Sequence, residues 1–371
     1  MEKKRSSRCT WVLLLPVLFL AVSASAGAQV GPEYEEYHSQ LELEYLIPIF
    51  WYDGTFSAAT YGKMSSILRD QELQFVLLAS EEESVNLVLG YTYHAPFWSY
   101  GINLYQMPVY TGPPWGLGFW ERQKGISLLA SGHFRNQSRL DLRLQYEDFS
   151  PESSFRYPVD AASLFGFEAT LNHDDFSFLA QKGARGYLSV GGAYPLLGTA
   201  YKNLKVEGDY RQYWSLGRMT MIMAGRAGKI WGNYPTHRGF ALGGIQQVSI
   251  SSLGSLTNLG LLGTLADTVL RGYPAYCFQG DGFLLSNLEL RMLLWPASYQ
   301  QLRKTGLSLG LFTDAAWVWD GDERISAAPA LGAGIGLRFF LLGLNIGVDY
   351  AIPLNTEDRQ PRWHFSLGEV F

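Results

Sequence analysis

Leu270 to Leu294 reads LRGYPAYCFQGDGFLLSNLELRMLL. Its second half alternates without a break. Asn287, Glu289 and Arg291 project to one side, and Leu288, Leu290, Met292 and Leu294 to the other, because successive side chains of a strand point to opposite faces. A strand with charge on one face and only apolar side chains on the other separates two media. The first half, through Leu270-Arg271-Gly272-Tyr273, lies in a connection too rich in glycine for a helix.

The same period of two recurs along the chain. Leu140, Leu142, Leu144 and Tyr146 oppose Arg139, Asp141, Arg143, Gln145 and Glu147. Leu204–Tyr213 sets Lys205, Glu207, Asp209 and Arg211 on one face, and Arg218–Lys229 sets Met219, Met221 and Met223 on the apolar side. Near the start, Leu41, Leu43, Tyr45, Ile47, Ile49 and Trp51 are expected to share a face opposite Gln40, Glu42 and Glu44. Turn signals such as Asp53-Gly54, Glu81-Glu82-Glu83 and the Pro/Gly-rich Thr111–Gly118 divide the segments. The tally is about sixteen strands of about ten residues, an even number. A connection over 231–280 is the one long interruption, and a loop of that length inside a compact domain is usually functional.

The first residues read as a targeting segment. Lys3, Lys4, Arg5 and Arg8 precede the apolar run Trp11–Val22, and Ala26-Gly27-Ala28 offers small residues at a cleavage position. The expected organisation is a signal peptide over 1–28, a short acidic periplasmic segment over 29–39, and one β-domain over 40–371. With Cys9 removed, Cys277 is the single remaining thiol, which excludes an internal disulfide framework and a cysteine-based zinc site. The processed chain carries 33 acids against 25 bases, a balance that speaks against nucleic-acid binding. The six histidines show no metal-ligand spacing, and no nucleophile elbow is present. Neither an enzyme nor a cofactor is expected.

Alternation alone does not say which face meets water. A soluble sandwich or a lipocalin-like barrel would turn its apolar face inward. Sixteen amphipathic strands exceed what one sandwich core needs, and Trp51, Tyr91, Tyr93, Trp98, Tyr100, Trp317, Trp319 and Trp363 gather near strand ends on the apolar side. That is where an interfacial girdle belongs. The charged face carries both signs in near balance, as a polar lumen requires. The expected fold is therefore all-β: a transmembrane antiparallel β-barrel of about sixteen strands, in the outer membrane, with a long loop folded into its lumen.

The order of short motifs in the last third resembles the outer-membrane assembly-factor superfamily, the BamA/TamA-like and bacterial surface antigen barrels. The carriers are Leu242-Gly243-Gly244, then Leu270-Arg271-Gly272-Tyr273, Gly280-Asp281, the strand Asn287–Arg291, and Phe312-Thr313-Asp314-Ala315-Ala316. Ala316 stands where the family has glycine. The closing segment Phe365–Phe371 is similar to the family's last strand, and its terminal aromatic resembles the recognition signal of outer-membrane proteins. The resemblance implies that the loop returns into the lumen, with Arg271 pairing to Asp314 and with Glu289 as a second acceptor. Gly272, Tyr273, Phe312 and the loop glycines Gly243 and Gly244 complete that candidate lock. An arginine–carboxylate pair sequestered under a loop is stronger and more geometrically specific than an exposed one.

The resemblance also implies a role in outer-membrane biogenesis or in moving protein or lipid. The seam would lie between the first and last strands, with Pro48, Gly368 and Phe371 as its candidate residues. Family members that assemble or secrete proteins carry polypeptide-transport-associated domains before the barrel. The span from 29 to 39 leaves no room for one, so the expectation is a barrel-only branch with a separate periplasmic partner protein. Its other expected partners are membrane lipids and the barrel-assembly machinery that inserts it. The alternative is a passive channel or a structural surface barrel.

Overall fold

The computed structural model describes residues 40–52, 56–80, 86–111, 119–134, 137–151, 161–176, 182–244, 269–295, 305–321, 328–341, 344–356 and 359–367. Within them the elements are β1 (Leu41–Tyr52), β2 (Phe56–Ser66), β3 (Gln71–Ser80), β4 (Asn86–His94), β5 (Trp98–Thr111) and β6 (Phe119–Phe134). There follow β7 (Ser138–Pro151), β8 (Ala162–Asp174), β9 (Gly183–Ala193), β10 (Lys202–Leu216) and β11 (Met219–Asn233). A single 3-10 turn (Thr236–Arg238) and the short β12 (Phe240–Leu242) and β13 (Phe278–Gly280) lie in the long connection. The chain continues through β14 (Gly282–Trp295), β15 (Thr305–Trp319), β16 (Ala330–Leu341), β17 (Leu344–Pro353) and β18 (Arg362–Leu367). No α-helix occurs among the described residues.

Sixteen of these strands form one antiparallel sheet, each paired with its sequence neighbour, the order passing from β11 directly to β14. Such up-and-down pairing needs only short connections. Between β10 and β11, Gly217 at φ +71° provides the positive φ of a two-residue hairpin loop.

The two faces differ as the alternation requires. On β14, Leu284, Leu288, Leu290, Met292 and Leu294 are exposed, while Phe283, Leu285, Asn287 and Glu289 are buried. On β7 and β10 the apolar face again lies open at Leu142, Leu144 and Leu204, and the other face buries Glu147 and Asp209. Isolated exposed leucines are ordinary, but this many on one continuous face are a poor surface for water and a good one for lipid. Charges gather on the inner, polar face.

Three features differ from the sequence reading. In β1 the register slips between Leu43 and Tyr45, so Glu44 is an extra residue in a bulge. Glu44 and Tyr45 then both reach the polar face, Glu44 accepting from Ser65 at 2.5 Å and Tyr45 donating to the Tyr61 hydroxyl at 3.1 Å. The expected common face of Leu43 and Tyr45 is therefore broken. Second, the 231–280 connection is not wholly irregular, because β12 and β13 pair as a small ribbon across it. Third, the ladder begins at β1 and ends at β18, and no pairing between these two is present among the described residues. Pro48 pairs opposite Thr60 in β1, on an edge where its missing donor interrupts no interior ladder. Gly368, Phe371 and the expected segments 1–28 and 29–39 fall outside the described residues.

Candidate functional site: a loop held at two feet

The described parts of the long connection lie against the polar face, and two arginines fasten them there. The second foot is Arg271. The strand rungs that receive it follow from register. Asn287 of β14 faces Asp314 of β15, which faces Gly332 of β16, and the next rung is Glu289, Phe312, Gly334 and Ala351. One rung further lie Arg291, Gly310, Gly336, Asp349 and His364. The alternation that turned leucines outward thus stacks these polar side chains on one patch of the inner face.

Arg271 is completely buried. Its Nε and Nη2 donate to the two oxygens of Asp314 at 2.8 and 2.7 Å, and its backbone N–H donates to Asp314 Oδ2 at 3.0 Å. Nη1 donates to Glu289 Oε2 at 2.7 Å. The guanidinium carbon stands 3.4 Å above the centre of the Phe312 ring, a cation–π contact strengthened by exclusion of water. Burial by itself would lower the arginine's pKa, but Asp314, then Glu289 and Asp349, outweigh it and hold the guanidinium charged.

The arginine is one of three. Arg291 donates from Nε to Glu289 Oε1 at 2.6 Å, and Arg338 makes a bidentate pair with Asp349 at 2.6 and 3.1 Å. Arg338 also reaches Glu289 at 3.3 Å. Three guanidiniums therefore meet three carboxylates in a buried network whose formal charges cancel. Asn287 links it to the loop backbone, donating to Asp314 Oδ1 at 2.9 Å and to the Val269 carbonyl at 3.0 Å.

Close backbone approach makes this foot possible. A Cβ on Gly332 would collide with the Arg271 carbonyl oxygen, and Gly272, at φ +94°, passes so near β17 that its Cβ would stand 3.0 Å from Pro353 N. The loop backbone thus approaches the sheet over Gly332. Ala316 is buried in an apolar cluster with Phe240, Leu242, Leu270, Phe283 and Leu285. Gly272 donates to His364 Nε2 of β18 at 2.9 Å, and the single Tyr273 hydroxyl proton is shared between Asn355 Oδ1 at 2.9 Å and the Leu331 carbonyl at 3.2 Å. Gly243 and Gly244, at φ +125° and +65°, carry the loop past Pro274–Cys277, where an L side chain would be strained.

The first foot was not anticipated. Arg238, in the 3-10 turn, donates to Glu121 of β6 at 2.8 Å and to Glu147 of β7 at 2.5 Å. His237 Nε2 lies 2.7 Å from the other Glu121 oxygen, and Tyr105 of β5 donates to Glu147 at 2.9 Å. The Arg238 guanidinium stands 4.4 Å over Phe149, and the pull of Glu147 and Glu121 outweighs desolvation and raises its pKa. No sequence signal pointed to it, because only the strand register shows that Glu147 faces Gly125 and Leu164, with no cation on its own rung. The segment therefore ties β5–β7 at one foot to β14–β18 at the other. At its exit, Lys229 of β11 pairs with Asp281 at 2.6 Å and donates to the Gly321 carbonyl at 2.9 Å.

Among the described residues no group of three or more His, Cys, Asp or Glu is placed to hold a metal ion. Each carboxylate of the buried network, Asp314, Glu289 and Asp349, is met by a guanidinium, so the arrangement can act as a fastening. The Omp85 superfamily domain matches this chain over residues 20–371. The chain belongs to the Omp85 superfamily. Among solved structures, this Omp85 chain is similar to BamA from Haemophilus ducreyi lacking POTRA domains 1–3. The identity is 14%, with 88% of this chain and 70% of that one covered, and a TM-score of 0.63. It is also similar to CdiB from Escherichia coli at 15% identity, covering 90% and 67% of the two chains, with a TM-score of 0.51. At such identities the likeness is one of fold. No curated protein matches it by sequence.

Proposed function

We propose that this chain is exported by residues 1–28 and spans the bacterial outer membrane with its β-domain, 40–371. There it moves or inserts polypeptide, or lipid, through the seam between β1 and β18. Residues 29–39 would lie in the periplasm and meet a separate partner protein that delivers the substrate. The barrel-assembly machinery would insert the chain itself. The observation that carries the reading is that β1 and β18 are not paired with each other among the described residues, on a sheet whose other strands are hydrogen-bonded in sequence. An open edge offers backbone donors and acceptors to an incoming strand. Pro48 and the Glu44 bulge weaken β1 as a permanent partner for β18.

The arginine network is the lock in this account. It fixes the loop on the last five strands, so that the seam moves against a rigid wall. The filled polar face also speaks against a wide passive pore. The test is reconstitution of the purified protein in liposomes with an unfolded small outer-membrane barrel as substrate, its folding followed by gel shift. Faster folding is expected, and a tether between cysteines placed at Pro48 and Phe365 should abolish the gain. Unchanged folding with and without the tether, together with large steady currents in planar bilayers, would favour the passive channel.

A further inference from the structure

β18 is the least supported strand of the sheet. It spans six described residues, Arg362–Leu367, and pairs only with β17. Phe365 and Trp363 on its apolar face are 70% and 63% exposed, whereas His364 on the polar face is 8% exposed. On the polar face His364 also meets the loop: the Gly272 N–H donates to its Nε2 at 2.9 Å, across 92 residues of sequence.

We propose that His364 is the positioning residue that couples the loop lock to the seam, so that the last strand is held in place only while Arg271 is seated. The proposal deepens the seam reading above and rests on it. Its geometry is specific. Gly272 directly follows the arginine, is held at φ +94° and is pressed against Ile352 and Pro353 of β17. Its N–H direction is thus set by the seating of Arg271. The imidazole must present a bare lone pair at Nε2, because only an unprotonated ring nitrogen accepts a hydrogen bond. The charged groups around the ring are Arg271 from the loop, Asp314 from β15, Asp349 opposite it on β17, and Arg362 on its own strand. Arg271 also approaches Asp349 at 3.9 Å. Unseating the arginine therefore removes the donor to β18 and disturbs its pairing neighbour in one step.

The test uses the full-length protein in lipid nanodiscs. In wild type labelled with ¹⁵N at glycine and histidine, an N–N coupling through the hydrogen bond should connect the Gly272 amide to His364 Nε2. Amide exchange is then compared in His364→Phe, which keeps a ring but no acceptor, and His364→Gln, whose Oε1 sits where Nε2 was. Loss of one net hydrogen bond should speed exchange over 362–367 by about fivefold in H364F, with β2–β4 unchanged and H364Q restored towards wild type. Absence of the coupling overturns the proposal. So does equal exchange in H364F and wild type, a rise spread evenly over all strands, or identical behaviour of H364Q and H364F. These readouts need no substrate, so a failed insertion assay with the exchange pattern intact would overturn the functional reading alone.

Discussion

Removing Asp314 should cost more than removing both Asp314 and Arg271. The buried network holds Arg271, Arg291 and Arg338 against Glu289, Asp314 and Asp349, and Arg271 and Asp314 are each wholly inaccessible to solvent. Asp314→Leu leaves a surplus cation there, with three hydrogen bonds from Arg271 broken. Arg271→Met leaves a surplus anion at Asp314 and Glu289. Breaking one side of a buried pair costs about 3–5 kcal/mol, whereas replacing both sides by apolar groups of similar size is often close to neutral. The double variant restores cancellation, Arg291 and Arg338 against Glu289 and Asp349. Each single change should therefore speed local exchange over 269–281 by roughly a hundredfold or more. The double variant should be no worse than either single one, a coupling of about 3 kcal/mol. Native-state hydrogen exchange with peptide resolution reads this directly. Additive losses, or single variants within a few-fold of wild type, would refute the idea that charge cancellation under the loop holds it.

At the other foot, Arg238→Met leaves Glu147 without its guanidinium and Glu121 with His237 alone, which should cost about 3 kcal/mol. Exchange over 236–244 should rise while 269–273 stays protected. Gly332→Val puts a side chain where the Arg271 carbonyl passes, so the loop should be displaced and the folded band lost at a lower temperature in a gel-shift melt. Cys277 is exposed, but the surrounding loop desolvates its thiol, pushed up to about 12. Alkylation should stay slow at neutral pH and accelerate only in strong alkali. Normal thiolate reactivity near pH 8 would contradict the packing of this turn against Leu242 and Gly243.

Much of the fold was legible because its physics is local. Alternation in Leu140–Glu147 or Asn287–Leu294 says which side chains share a face, and sixteen such segments add to one meander. The bulge at Glu44 was not legible, since an extra residue changes parity without leaving a mark in composition. The β12–β13 ribbon was hidden for a similar reason: each strand has three residues, below the length at which periodicity can be read. Arg271 with Asp314 and Glu289 came from a resemblance in motif order, and those three side chains do meet. Physical reasoning from the residues alone could place them on faces but not on rungs. The Arg238 foot shows why, because its partners lie 117 and 91 residues away and only the register of the four or five strands between them brings them together.

The most direct test of the account is the environment of successive residues of β14. In a cysteine-free background, spin labels placed one at a time at Ser286 to Met292 in reconstituted bilayers can be probed with oxygen, which concentrates in lipid, and with a water-soluble nickel chelate. The account predicts oxygen collisions at 288, 290 and 292. It predicts that 287 and 289 are shielded from both agents until Asp314→Leu releases the loop, when the nickel chelate reaches them. Nickel collisions at 288 and 290 in the wild-type background would show that water, and not lipid, covers the apolar face, and would contradict the account.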